Sequence, residues 1–210
     1  HDALPICGLG FRRLSILDTT SAGHQPMFDE DRRYVIVYNG ELYNYKVLQT
    51  QLEQRGYTFR SHSDTEVVLK AFLEWGTSCV EKFIGMFAFI VVDVSAQRAF
   101  AARDHLGIKP LYFMKHEGSL FLASEIKCFR HVRPFELNCD ALYEQFFFRY
   151  VSGRSTIFKN IFRLPAGTWI MFDKAGALTE KKYYDVTESL CNPTSPVDYE
   201  SFEAQLKDNI

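Results

Sequence analysis

The segment Met86-Phe87-Ala88-Phe89-Ile90-Val91-Val92-Asp93 constrains the fold more than any other. It reads as a strand with apolar side chains on both faces, so neither face can be left to water. Such a strand needs two covers, a second sheet on one side and helices on the other. The polar turn Ser95-Ala96-Gln97 returns the chain as a strand from Arg98 to Ala102. Further hairpins are expected at Glu117-Gly118 and Lys174-Ala175-Gly176. The β-branched and aromatic run Tyr34 to Tyr38 is another strand, and so is Gly8 to Asp18.

Helical signals come in blocks between these strands. Asn44 can cap a helix from Tyr45 to Arg55, with Leu48 and Leu52 on one face and Gly56 as the stop. Ser63-Asp64-Thr65-Glu66 has the capping-box pattern. Val67, Val68, Ala71, Phe72 and Trp75 follow at helical spacing, and Gly76 ends the run. Cys139 to Phe147 reads as a third helix. The blocks predict an α+β chain with antiparallel sheets, not a regular βαβ alternation. Asn192-Pro193-Thr194-Ser195-Pro196 has loop chemistry. Beyond it, Asp198 to Ile210 reads as an amphipathic helix with Tyr199, Phe202, Leu206 and Ile210 on one stripe. That helix either docks back on the domain or begins a second one.

The 210 residues, 47% hydrophobic with 19 Phe and 11 Tyr, suffice for one domain with its own core. A formal net charge of −2 argues against nucleic acid or an anionic membrane as the main partner. No apolar run approaches the roughly 18 residues that span a bilayer. The five cysteines (Cys7, Cys79, Cys128, Cys139 and Cys191) show neither CxxC nor metal-ligand spacing. They suit a reducing cytoplasmic compartment with free thiols and no bound metal. His1-Asp2-Ala3-Leu4-Pro5-Ile6 resembles a translated sequencing adapter, so residues 1–7 are set aside from the fold.

Three places carry potential chemistry. Asn39-Gly40 after a strand can be a tight turn. It can also be a pair of N–H donors, one from the Asn side chain and one from the Gly backbone, able to hold the oxyanion of an attacked carboxamide. Arg13 is either an exposed strand arginine or a guanidinium fork for a carboxylate. Asp64 suits a helix first turn on dipole grounds alone, or it can face an ammonium group. Asp104 and His105 are read as organisers of a turn before Gly107, His24 as a loop residue, and Lys109-Pro110 as structural. Ser124-Glu125 is expected to cap the helix that follows.

Longer runs change the weighing of these alternatives. Gly10-Phe11-Arg12-Arg13-Leu14-Ser15-Ile16-Leu17-Asp18 and Gly23-His24-Gln25-Pro26-Met27 resemble the glutaminase domain of glutamine-hydrolysing asparagine synthetases. Tyr38-Asn39-Gly40-Glu41-Leu42-Tyr43-Asn44, Ser63 to Glu66, Trp75-Gly76 and Gly85 to Phe89 follow in that family's order. The most specific run is Ala102-Arg103-Asp104-His105-Leu106-Gly107-Ile108-Lys109-Pro110-Leu111-Tyr112, completed by Ala123-Ser124-Glu125-Ile126-Lys127. The resemblance covers residues 8 to 185.

It implies a class II amidotransferase with the N-terminal-nucleophile hydrolase fold, a four-layer αββα sandwich of two antiparallel sheets, here lacking its N-terminal strands. Residues 8–190 would be the incomplete amidotransferase domain. Residues 191–210 would be a linker and the first helix of a truncated synthetase domain. By position, Arg13 would hold the glutamine carboxylate, with Leu14, Ser15, Ile16 and Leu17 lining the pocket. Asn39 and Gly40 would form the oxyanion hole, and Glu41 and Asp64 would bind the α-amino group. Glutamine would be the ligand and a synthetase domain the partner in cis. That domain, absent here, would use ATP and Mg²⁺ to convert aspartate to asparagine. The family also admits a homodimer of the parent.

One departure is serious. The family's nucleophile is a cysteine at the start of the mature chain, where its own α-amine serves as base. Cys7-Gly8-Leu9 imitates that start, but six residues precede Cys7 and five separate it from Arg13, where the family has a considerable stretch. The nucleophilic cysteine is therefore expected to be missing, and the 210 residues to be inactive as a glutaminase. A related amidotransferase with another acceptor, and a non-catalytic amino-acid-binding domain, are the alternatives.

Overall fold

The computed structural model describes residues 7–11 and 23–187. In chain order these hold β1 (Met27–Phe28), β2 (Tyr34–Leu42), α1 (Tyr45–Glu53), α2 (Asp64–Trp75), β3 (Gly85–Asp93), β4 (Arg98–Arg103), β5 (Tyr112–His116), β6 (Ser119–Ala123), α3 (Cys139–Phe148), β7 (Phe162–Arg163), β8 (Thr168–Phe172) and β9 (Leu178–Lys182). Short 3₁₀ helices cover Gly76–Lys82 and Ile126–His131.

The strands form two antiparallel sheets, ordered β1-β2-β3-β4-β8-β9 and β6-β5-β7. The doubly apolar strand β3 sits in the middle of the first sheet, between β2 and β4. Its odd-numbered side chains Phe87, Phe89 and Val91 join Ile36, Tyr38 and Phe100 in a core beneath α1 and α2. Leu48 and Leu52 of α1, with Val67, Val68 and Ala71 of α2, supply the helical side. Edge-on and tilted ring contacts fill it, Phe83–Phe87 at 5.5 Å and Phe89–Phe100 at 5.8 Å. The other face of β3 and β4 offers Ala88 and Ala101 to the second sheet, where Phe113, Leu111 and Leu164 meet them. Small residues there let the sheets approach. A third cluster, with Met114, Phe129 and Ile161, seals the outer face of the second sheet. That outer cover is a 3₁₀ helix and irregular chain, so the fourth layer of the expected αββα sandwich is thin.

Hairpin chemistry works as expected. Glu117 and Gly118 both take positive φ (48° and 75°) in the β5–β6 turn, and Gly176 has φ 81° between β8 and β9. Cys139–Phe148 forms the third helix, capped by Asn138.

Several local expectations change. Asn39-Gly40 is no turn: both residues lie inside β2, opposite Ala88 and Phe87. Favourable pairing over nine residues with β3 outweighs the local turn preference of Asn-Gly. Asn44 occupies the N-cap of α1, but its side chain makes no cap bond. It instead bonds the Lys82 carbonyl (2.9 Å) and the Ile84 N–H (3.0 Å), tying α1 to the start of β3. Ser63 does cap α2, accepting from the Thr65 N–H. Glu66 reaches past it, to the N–H groups of Arg60 and Ser61 and the Ser61 hydroxyl. Gly8 to Phe11 carry no strand, and the rest of that expected strand, Arg12 to Asp18, lies outside the described residues, as do residues 1–6 and 188–210.

Candidate functional site

Asn39, Gly40 and Glu41 are consecutive on β2, so their side chains alternate between its faces. Tyr38 and Leu42 point into the helix-side core. Asn39 and Glu41 therefore point the other way, toward the second sheet. The Asn39 Nδ2 donates to Ser124 Oγ at 3.3 Å, just beyond β6, and this bond joins the two sheets. Ser124 thus serves Asn39; the 3₁₀ helix that follows, Ile126–His131, has Glu125 at its N-cap without a side-chain cap bond.

Gly40 is demanded by packing. A Cβ there would lie 2.4 Å from the Met86 carbonyl oxygen and 2.8 Å from the Phe87 Cα. Its backbone N–H has a definite direction too. Opposite Gly40, Phe87 spends both backbone groups on Asp104: Asp104 N donates to Phe87 O (2.8 Å), and Phe87 N donates to the Asp104 carboxylate (3.2 Å). Gly40 and Phe87 are thus a non-hydrogen-bonded pair, and the Gly40 N–H points away from β3 to the outer edge of β2. β1 pairs with β2 only at Val35 and Ile36. On that outer edge the neighbouring N–H groups are held by side chains. Tyr38 N donates to Gln25 Oε1 (2.6 Å) while Gln25 Nε2 donates to Tyr38 O (3.1 Å). Leu42 N donates to Asp64 Oδ2 (3.0 Å). A ligand atom at this edge, on the side of the second sheet, meets the Gly40 N–H and approaches the Asn39 carboxamide.

Asp64 opens α2 and is only 4% exposed. Its Oδ2 also accepts from the Tyr38 hydroxyl at 3.0 Å. It therefore bolts α2 to both ends of the Asn39–Glu41 run. Desolvation by burial raises its pKa above the ordinary carboxyl value, against the lowering bonds from Leu42, Tyr38 and Thr65; the neighbouring Glu41 raises it further. Burial first, and Asp64 beside it second, also push the Tyr38 phenol far up. A raised native pKa means that the folded protein holds the proton more tightly than the unfolded chain. The associated stability is fully present below the unfolded-state value and is lost as pH rises through the native one. Asp64→Asn should therefore gain stability relative to the parent as pH rises from the ordinary carboxyl value through the raised native one. Urea midpoints of the two proteins across that range check this; a constant difference would refute it.

Arg103 and Asp104 organise the loop that supports this strand pair. Asp104 is 1% exposed, and its carboxylate accepts from the N–H groups of Leu106, Ile108, Lys109 and Phe87. The buried Arg103 guanidinium donates to the carbonyls of Lys109, Leu164 and Gly107. The turn-organising reading of Asp104 therefore holds. His105 packs edge-on against Tyr183 and Tyr184, and burial lowers its pKa. Cys7 is exposed, and what desolvation it has raises its thiol pKa, the wrong direction for a nucleophile.

The structure thus gathers Asn39, Gly40, Glu41 and Asp64 around one stretch of β2. Arg13, Leu14, Ser15, Ile16 and Leu17 lie outside the described residues. Sequence reasoning missed Gln25, Tyr38 and Ser124 as supports of the site. Gln25 and Ser124 act at separations of 13 and 85 residues, where local patterns carry no signal. Among the described residues, no helix is long and apolar enough to cross a membrane.

Comparison with known proteins agrees with this layout. Residues 4–184 match a family model described as a glutamine amidotransferase domain. The chain is 37% identical over 178 residues to asparagine synthetase [glutamine-hydrolyzing] 1 of Bacillus subtilis, covering 84% of the chain and 28% of that protein. It is 35% identical over 195 residues to a putative asparagine synthetase [glutamine-hydrolyzing] 2 of Methanocaldococcus jannaschii, covering 84% of the chain and 37% of that protein. It is also 42% identical over 122 residues to amidase chry2 of Gibberella zeae, covering 58% of the chain and 18% of that protein. The chain thus spans well under half the length of these relatives. Among solved structures, the glutamine phosphoribosylpyrophosphate amidotransferase of B. subtilis superposes with a TM-score of 0.57 at 19% identity, covering 79% of this chain and 33% of that one, which shows a shared fold. A matched family model over nearly the whole chain, the two-sheet fold and the relatives' identity together establish that this chain belongs to the glutamine amidotransferase domain family, of the kind found in glutamine-hydrolysing asparagine synthetases.

Proposed function

We propose that this chain is the ammonia-donating glutaminase part of an ATP-dependent asparagine synthetase, and that the 210 residues hold glutamine without turning it over. The observation that carries the reading is the Gly40 N–H, aimed at the outer edge of β2 beside the Asn39 carboxamide. Two such donors stabilise the oxyanion formed when a carboxamide carbon is attacked; removal of one typically costs about 100- to 1,000-fold in rate. Glu41, half-exposed and close to Asp64, forms the anionic end that takes the α-ammonium group, with Asp64 behind it. Arg13 takes the α-carboxylate, and Leu14 to Leu17 line the pocket. In the parent protein a cysteine nucleophile releases ammonia, which a synthetase domain in cis uses to amidate aspartate with ATP and Mg²⁺ in the cytoplasm.

Titration calorimetry tests the binding half. L-glutamine should bind with measurable heat, whereas 4-carbamoylbutanoate, which lacks the α-amine, should bind far more weakly. Glutamate release should stay at the no-protein blank. No heat with L-glutamine, or equal affinity for both compounds, would overturn the pocket assignment. A second reading, an amidotransferase whose acceptor is not aspartate, draws support from the similarity to amidase chry2.

A further inference from the structure

We propose that the cleft between β1, α2 and the chain leading into α2 is a second binding site, built for a small carboxylate with an apolar tail and filled by Glu30 when no ligand is there. The cleft has a volume of about 440 Å³, within the range of small-molecule pockets. Leu69 and Leu73 of α2, Met27 and Phe28 of β1, and Tyr57 give it apolar walls. No residue of the Asn39–Glu41 edge lines it.

Lys70 also lines the cleft, although its side chain is only 9% exposed. A charge taken that far from water needs partners, and an ammonium group has three N–H donors to place. Among the described residues it makes one hydrogen bond, to Glu30 Oε1 at 3.2 Å, and stands 3.5 Å from Glu66 Oε1. Glu66 is committed elsewhere, accepting from the N–H groups of Arg60 and Ser61. The Phe59 and Tyr57 ring centroids lie 5.2 and 6.0 Å from Lys70 Nζ.

The carboxylate that answers Lys70 is therefore borrowed. Glu30 belongs to the turn between β1 and β2, and its side chain is 53% exposed. The same Oε1 meets the Arg60 guanidinium at 3.4 Å. One carboxylate oxygen thus sits between two cations beside an apolar hollow, and Glu30 brings nothing to fill that hollow. A free carboxylate with an alkyl or aryl tail makes the same two contacts and adds burial against Leu69, Leu73 and Met27. The exchange keeps Lys70 paired throughout and returns Glu30 to water. The other acids of the cleft oppose it weakly. Asp29 accepts from the Tyr34 N–H at 2.8 Å, and Asp31 is exposed, where water and salt screen it.

Titration calorimetry of the 210-residue chain with 3-phenylpropanoate tests the site. Glu30→Gln should tighten binding by about tenfold, because the resident competitor is gone. Lys70→Met should weaken it by at least about tenfold, and the exposed Arg60→Gln several-fold. 3-Phenylpropanol has the tail without the charge, and acetate the charge without the tail; each should bind at least about tenfold more weakly. Should Lys70→Met fail to fold, Arg60→Gln and Glu30→Gln carry the test, since loss of structure cannot tighten binding. No heat with 3-phenylpropanoate in either the parent or Glu30→Gln overturns the proposal. So does an affinity that Glu30→Gln leaves unchanged or lowers, one that folded Lys70→Met or Arg60→Gln leaves unchanged, or equal binding of either control compound.

Discussion

Asp104→Ala is expected to destabilise the protein by about 4 kcal/mol, a large fraction of the total stability of about 5–15 kcal/mol. The Asp104 carboxylate accepts four backbone N–H groups, from Leu106 (3.1 Å), Ile108 (2.9 Å), Lys109 (2.9 Å) and Phe87 (3.2 Å). Each buried donor left without an acceptor costs about 1–3 kcal/mol. The loop can relax and admit water at its exposed residues Leu106 and Ile108, so the full sum is not reached. Phe87 has no such escape, because it lies in the middle sheet strand and is fully buried. Asp104→Asn should cost about half as much: one oxygen still accepts, but the new amide N–H₂ faces N–H groups. Urea unfolding followed by far-ultraviolet circular dichroism measures both. A cost below about 1 kcal/mol for the alanine variant would show that the loop is held by something other than this carboxylate.

Gly40→Ala should cost about 3 kcal/mol, the upper range for overpacking. The added methyl would meet backbone atoms of Met86 and Phe87, which no rotamer change can move. Relief requires β2 and β3 to part. Gly85 presents the mirrored case: its Cβ would lie 2.3 Å from the Glu41 carbonyl oxygen. Gly85→Ala should therefore cost a similar amount. The double variant should cost clearly less than the sum, because one separation of the strands accommodates both methyls. Guanidinium unfolding of the four proteins gives the cycle. Strict additivity would mean that the two clashes relax independently, contrary to a shared strand separation. Loss of L-glutamine binding in Gly40→Ala at temperatures where it stays folded would further link the strand spacing to the ligand edge.

Much of this was legible in the residues. The doubly apolar run from Met86 to Asp93 announced a strand covered on both faces, and it is the central strand of the first sheet. The Glu117-Gly118 hairpin and the Ser63 cap followed from short-range chemistry, and short-range chemistry decides those features. The position of Asn39-Gly40 within a strand did not follow, because pairing with β3 over nine residues outweighs a local turn preference. Nor did the role of Ser124, since its partner Asn39 comes from the other sheet. Glu66 illustrates the same limit on a smaller scale. Its spacing from Ser63 suggested a reciprocal cap, yet its carboxylate reaches the Arg60 and Ser61 amides, which the bend before α2 brings nearer.

The paired hydrogen bonds between Gln25 and Tyr38 have a bearing on aggregation. The primary amide of Gln25 donates to and accepts from one residue's main chain, as a peptide group in an adjoining strand would. An incoming foreign strand finds that rung of the ladder already taken, and the Asp64 carboxylate blocks the next one at Leu42. Between the two plugs, among the described residues, the rung at Gly40 is unclaimed. Among the described residues, the β2 edge is thereby interrupted against the addition of a further strand.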